Sequence, residues 1–211
     1  MSATTSDPGR GIPDDGPSEF ISFFGYGVEE RLTDAAVEVL RRVGGHRLTL
    51  AAVAEWQQVS RQAIQQQAGT RARFLEMVTT CFGDRWRAWA SRGYAGVERL
   101  VRLPATADAL HGTRVWRGLE ELAWGELLAG NDAPARAIAE HRGAEDDRRA
   151  WLVARDLDRD LTEVERDLLA VVVDGLLWRM TLAVDPLPLD RATAVLRAHL
   201  ESLGWDDSLL A

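Results

Sequence analysis

From residue 29 onward, apolar side chains return every three or four positions. Leu32, Ala35, Ala36, Val39, Leu40 and Val43 fall on one stripe, and Gly44-Gly45 ends it. This spacing predicts a helix. A second, short helix follows from Thr49, whose hydroxyl can cap it, with Leu50, Val53 and Ala54 turned inward. After Trp56-Gln57-Gln58-Val59, Ser60 can cap a third helix to about Ala68, with Ile64 inward and Gly69 closing it. Three helices parted by such tight breaks form a helix-turn-helix bundle.

The same period continues downstream. Phe74, Leu75, Val78, Cys81 and Phe82 lie on one face leading to Trp86 and Trp89, which predicts a fourth helix running from this head into a body. Trp116, Leu119, Ala123, Trp124 and Leu127 predict a further stripe ended by Gly130, and Asn131 can cap a long helix through His141 to about Asp156. Thr162 with Glu165 has the form of a capping box, opening the most apolar segment, Leu168 to Val184. Pro186 and Pro188 separate that segment from a last helix bearing Ala194, Val195, Ala198 and Leu203. No strand pattern and no repeat is found, so the class is all-α. The first 18 residues lack any period and predict disorder, whereas Phe20, Ile21, Phe23, Phe24 and Tyr26 are expected to dock on the first helix.

Composition sharpens this picture. With 211 residues, 46% of them hydrophobic, the chain can bury a sizeable core. The net charge of −8 argues against general electrostatic binding to nucleic acid, but the charge is uneven: residues 29–87 carry nine arginines against seven acids, and residues 88–211 carry fifteen against twenty-two. A mildly basic head on an acidic body fits a nucleic-acid contact confined to one end. All 25 basic residues are arginine. The single cysteine, Cys81, excludes a disulfide framework and a zinc spacing, and is expected to be a small buried hydrophobe. No basic-then-apolar leader and no bilayer-length apolar run is found, which points to the cytoplasm and to no membrane partner.

All six glutamines, Gln57, Gln58, Gln62, Gln65, Gln66 and Gln67, fall in the second half of the helix-turn-helix. A side-chain amide can pair bidentately with the adenine edge in the major groove, so the cluster is a candidate reading head; the competing reading is a solvated helix face. Around it, Ala35-Ala36, Leu40, Gly45, Leu48-Thr49-Leu50, Val53-Ala54-Glu55, Val59-Ser60-Arg61, Ile64, Thr70-Arg71 and Phe74-Leu75 resemble the DNA-binding domain of the TetR family of repressors without gaps. The chain departs from the family pattern at Gln58 (usually Gly), Gln65 (usually an aromatic) and Ala68 (usually an aromatic).

The resemblance implies an extension over residues 1–25, a helix-turn-helix domain over 26–87 and, joined by the fourth helix, a helical ligand-binding and dimerisation domain over 88–211. It implies a near-palindromic DNA operator, a small-molecule effector and a homodimer. Gln62 and Gln66 would lie on the exposed face toward the bases, with Gln65 at the position of the family's aromatic and Gln67 toward the core, and Thr49, Arg61 and Arg71 would hold phosphates, with Ser60 and Thr70 beside them. Eight tryptophans suggest an aromatic-lined pocket for an apolar or flat aromatic compound, drawn from Trp86, Trp89, Trp116, Trp124, Trp151 and Trp178. Glu120, Glu121, Arg117 and His111 could add polar contacts; core packing is the alternative use of these rings. Leu168, Leu169, Val172, Val173, Leu176 and Leu177, with Val195, are more apolar surface than one neighbour needs and are assigned to the dimer interface.

No cofactor or metal is expected. Asp156, Asp158, Asp160 and Asp167 have calcium-loop spacing but lack its glycine and its bidentate Glu. His141 with Glu145 is expected to be a surface pair, and 146–149 a solvated face. Without a Ser-His-Asp, Cys-His or phosphate-loop arrangement, an enzyme is disfavoured. A transcriptional regulator is therefore the leading reading; the alternative is a TetR-like dimer that has lost operator binding and serves as a ligand-binding or protein-interaction module.

Overall fold

A computed structural model describes residues 27–90, 107–182 and 184–205. The N-terminal extension and the expected docking of Phe20 to Tyr26 lie outside the described residues. Within them are eight α-helices, a 3-10 turn and no strand.

The head forms as its caps require. Helix α1, Val28–Val43, ends at Gly44, whose φ of 79° only a glycine adopts without strain. After a 3-10 turn, Gly45–Arg47, the Thr49 hydroxyl accepts the Ala52 amide at 3.1 Å and opens α2, Leu50–Gln57. Ser60 accepts from Ala63 at 3.1 Å and opens α3, Arg61–Ala68. Each such cap is worth about 1 kcal/mol. Between them Gln58 turns the chain in the left-handed region, φ 55° and ψ 38°, at a cost of about 1 kcal/mol for a residue with a Cβ. Gln57 stands apart from the other glutamines: its amide donates to the Arg31 carbonyl at 2.8 Å and ties α2 to α1.

Helix α4, Arg71–Ala90, runs from the head into the body. The body continues with α5, Ala107–Leu128, α6, Ala133–Leu157, α7, Glu163–Thr181, and α8, Leu189–Ser202. The capping box at α7 forms as expected, Thr162 N–H to Glu165 Oε2 at 2.8 Å and the Glu165 amide to Thr162 Oγ1 at 3.3 Å. Arg159 also donates to Glu165 at 2.8 Å, and these donors hold its carboxyl down to about 2. Asn131 does not cap α6. That helix starts beyond Asp132 with Pro134 in its first turn, and the Asn131 amide donates to Glu126 at 2.9 Å instead.

Two apolar cores result. The first joins α1, α2, α3 and α4 to Val115, Leu119 and Ala123 of α5 and Ile138 of α6, so the packing of the head extends well into the body. The second packs Ala150, Leu152 and Val153 of α6 against α7 and α8 and is closed by Trp205, which is 1% exposed.

The second core corrects the dimer assignment. Leu169, Val173 and Leu176 are buried within it, and Val172 and Leu177 pack against it from the side. Helix α7 needs those residues for its own neighbours, α6 and α8. Leu168 and Val195, from the same assignment, stay half exposed, and Val164 and Val171 join them on the apolar face left open.

Candidate functional site

Helix α3 packs by Ile64 and Ala68 alone. Gln62, Gln65 and Gln66, the last two three and four residues beyond the first, lie away from that edge; all are exposed, and their side-chain amides make no hydrogen bond among the described residues. Arg61 is exposed as well. Gln67, expected to face the core, is exposed, because Ile64 and Ala68 already supply the buried edge.

The phosphate candidates behave differently. Thr49 and Ser60 accept helix amides through oxygen, as Thr70 does from Arg73 at 3.2 Å, so each keeps its hydroxyl proton for an outside acceptor. Arg71 is already engaged. It donates to Glu126 of α5 at 2.8 Å and to the Leu48 carbonyl at 2.8 Å, bridging the start of α4, the head and the end of α5.

In the body, the rings of Trp86 and Trp116 flank Phe82 at 6.3 and 6.4 Å, and His141 meets Trp116 edge-on at 5.7 Å. Glycines bring these helices together. A Cβ on Gly83 would lie 2.6 Å from the His141 ring, and one on Gly112 would lie 2.0 Å from Trp86. His141 is therefore buried, not the surface partner of Glu145. Burial, and then the nearby Arg87, lower its pKa, so the neutral ring is favoured.

Beside these rings lies a narrow cavity of about 70 Å³, lined by Trp86 and Trp116 but mostly by charged groups. Glu120, buried at its centre, accepts from Trp116 Nε1 at 2.8 Å, from Arg117 at 2.6 Å and from Arg142 at 2.7 Å. Arg142 reaches on to Asp174 of α7 at 3.1 Å, and Arg149 pairs with Asp146 at 2.7 Å. Burial raises the pKa of Asp146, partly offset by Arg149. Arg149 is thus interior and not part of a solvated face.

Of the other tryptophans proposed for the pocket, Trp124 and Trp151 are 63% and 61% exposed and line neither cavity, because their helices turn Leu119, Ala123, Leu152 and Val153 inward. The side chain of Trp89 lies outside the described residues. Trp178 borders a second, wider cleft between head and body, together with Glu121 and His111. Guanidinium groups lie over three of the exposed indoles: Arg42 over Trp56 at 4.3 Å, Arg117 over Trp178 at 5.1 Å and Arg155 over Trp151 at 5.4 Å. Sequence reasoning passed over Arg142 and Asp174, although a single carboxylate within the apolar run around Val171-Val172-Val173 was a usable signal.

Cys81 is half-buried, short of the fully buried hydrophobe expected. Among the described residues no helix is long and apolar enough to cross a membrane, and no group of three acidic, His or Cys side chains is placed to hold a metal.

No protein-family model matches the chain, and no curated protein matches it in sequence. A solved structure does: a protein from Rhodococcus sp. assigned to the TetR family of transcriptional regulators superposes with a TM-score of 0.65 at 18% identity, over 82% of this chain and 97% of that one. The chain has the all-α fold of a TetR-family regulator.

Proposed function

We propose that the protein is a DNA-binding transcriptional regulator of TetR type, a repressor released by a small molecule. The observation that carries this reading is the face of α3, where Gln62, Gln65 and Gln66 present three side-chain amides with no partner among the described residues. Held at the surface by two buried residues, α3 is an element that a major groove can accept.

The cavity among α4, α5, α6 and α7 supports an effector site. Its lining, two indoles among charged side chains that already pair with one another, argues for a small compound with one aromatic ring set against Trp86 and Trp116 and a polar edge, and at about 70 Å³ the cavity admits a ring only if a wall moves. A purely apolar compound would strip those charges of solvent without replacing their partners. Because α4 forms one wall and also follows directly on α3, an occupant that shifts α4 moves the reading helix, and binding then differs between the two states. The open apolar face of α7 with Val195 of α8 supports a two-fold dimer. Val171→Arg is expected to give folded monomers in sedimentation, whereas Val173→Arg is expected to unfold the body.

The test is selection of fragmented genomic DNA on the full-length protein, followed by sequencing. The expected product is a near-palindrome whose half-sites are about one helical turn apart. Fragments no different from the input would overturn the operator reading in favour of a ligand-binding or protein-interaction module.

A further inference from the structure

The wider cleft is a separate cavity of about 770 Å³ at the junction of head and body. One wall is the end of α1 with the 3-10 turn; the other is α5 with the end of α7. Its floor is nearly bare backbone: a Cβ on Gly45 would lie 3.1 Å from the Gly118 carbonyl oxygen, so the turn and α5 meet at two glycines.

The rim is cationic. Arg41, Arg42, Arg114 and Arg117 line the cleft against a single lining carboxylate, Glu121. Their internal neutralisation is incomplete. Arg41 and Arg42 divide Glu38 between them, at 3.0 and 3.7 Å, and Arg117 shares Glu120 with Arg142. Arg114 is exposed and has no ion-pair or hydrogen-bond partner among the described residues. Beside this surplus stand flat and aliphatic surfaces, the indole of Trp178 and the side chains of Leu40, Val115 and Leu182.

We infer that this cleft binds a small aromatic carboxylate, its anionic group held by Arg114 and its ring set against the aliphatic wall of Leu40, Val115 and Leu182, beside the indole of Trp178 that Arg117 covers. An arginine fork suits a carboxylate, and the apolar wall suits the ring that carries it. The occupant touches head and body together and clamps one to the other. Arg117 lines both this cleft and the narrow cavity, so the two sites share a side chain.

The probe is 2-naphthoate, titrated calorimetrically into the full-length protein, with the neutral 2-naphthylmethanol as the control of equal shape. The carboxylate is expected to bind at least about tenfold tighter than the alcohol, the value of one charge-assisted hydrogen bond. Arg114→Ala, a change at an exposed position that leaves the fold intact, is expected to weaken naphthoate binding by about tenfold and leave the alcohol unaffected. Because Arg114 lines only the wider cleft, that loss places the ligand there and not in the narrow cavity. Equal affinities for the two compounds, or naphthoate binding unchanged in Arg114→Ala, would overturn the assignment.

Discussion

The outer face of α3 and the interior around Glu120 are both strongly polar, yet their side chains are used in opposite ways. Around Glu120 the charges answer one another: three donors converge on one carboxylate, and Arg142 continues to Asp174. On α3 the side-chain amides answer nothing among the described residues. Polar groups consumed internally hold helices in register, and polar groups left open are available to a partner. The difference separates a structural hub from a recognition surface, although both are simply polar positions in the sequence.

The largest expected effect breaks the hub. Glu120→Ala leaves Arg117, Arg142 and the Trp116 N–H without their shared acceptor, and about 3 kcal/mol of stability should be lost in urea unfolding, since Arg142 keeps some access to water. A loss below about 1 kcal/mol would show that solvent replaces Glu120 and that the hub is not a closed network.

On α3 the reverse should hold. Gln62→Ala or Gln66→Ala should change stability by less than about 0.5 kcal/mol while weakening cognate DNA by about 1–3 kcal/mol and random DNA little. Equal losses on both DNAs in parallel binding titrations would assign these amides to phosphate contact and erase the contrast.

A third and smaller effect probes the edge of the interior through pH. His141 has its pKa lowered from 6.5 in the folded protein, so below that value the unfolded chain takes up a proton that the native ring refuses. Stability should therefore fall as pH drops below about 6.5, by at most about 1.4 kcal/mol per pH unit from this group. His141→Asn should flatten the slope but not abolish it, because His199 is lowered by burial in the same direction. Parallel unfolding profiles for wild type and variant would mean that the native cavity accepts a charged imidazole.

The smallest effect concerns the link between the two regions. Arg71→Ala removes the bridge from α4 to Glu126 and Leu48 and should cost under about 1 kcal/mol, because the arginine is partly exposed. If it also serves phosphate, as the sequence suggested, cognate and random DNA should weaken alike.

How far the sequence could be read follows from which interactions are local. Thr49, Ser60 and Thr162 with Glu165 are decided within four residues, and each took the conformation its spacing predicted. The inward faces of α5 and α7 are decided by helices distant in sequence. Apolarity all around Leu168 to Val184 gave no means of telling Val173, which packs inside, from Val171, which does not. Trp116 and Trp124 are two turns apart on a single helix, yet the first meets Phe82 and His141 and the second meets solvent. Size and aromaticity mark a residue as able to fill a cavity; only the partner helix decides whether it does.

The guanidinium groups over Trp56, Trp151 and Trp178 bear on how molecules of this protein meet one another in solution. A bare indole on a surface is adhesive, whereas one beneath an arginine presents a hydrated cation to an approaching copy. A chain whose basic residues are all arginine is well supplied with such covers, since a planar guanidinium lies flat on a ring. Trp124 carries no such cover among the described residues, and it shares a helix face with Leu128, which is 87% exposed. This short uncovered end of α5 is an open apolar patch apart from that of α7, and a single charge there, as in Leu128→Glu, is expected to raise the protein concentration at which turbidity appears.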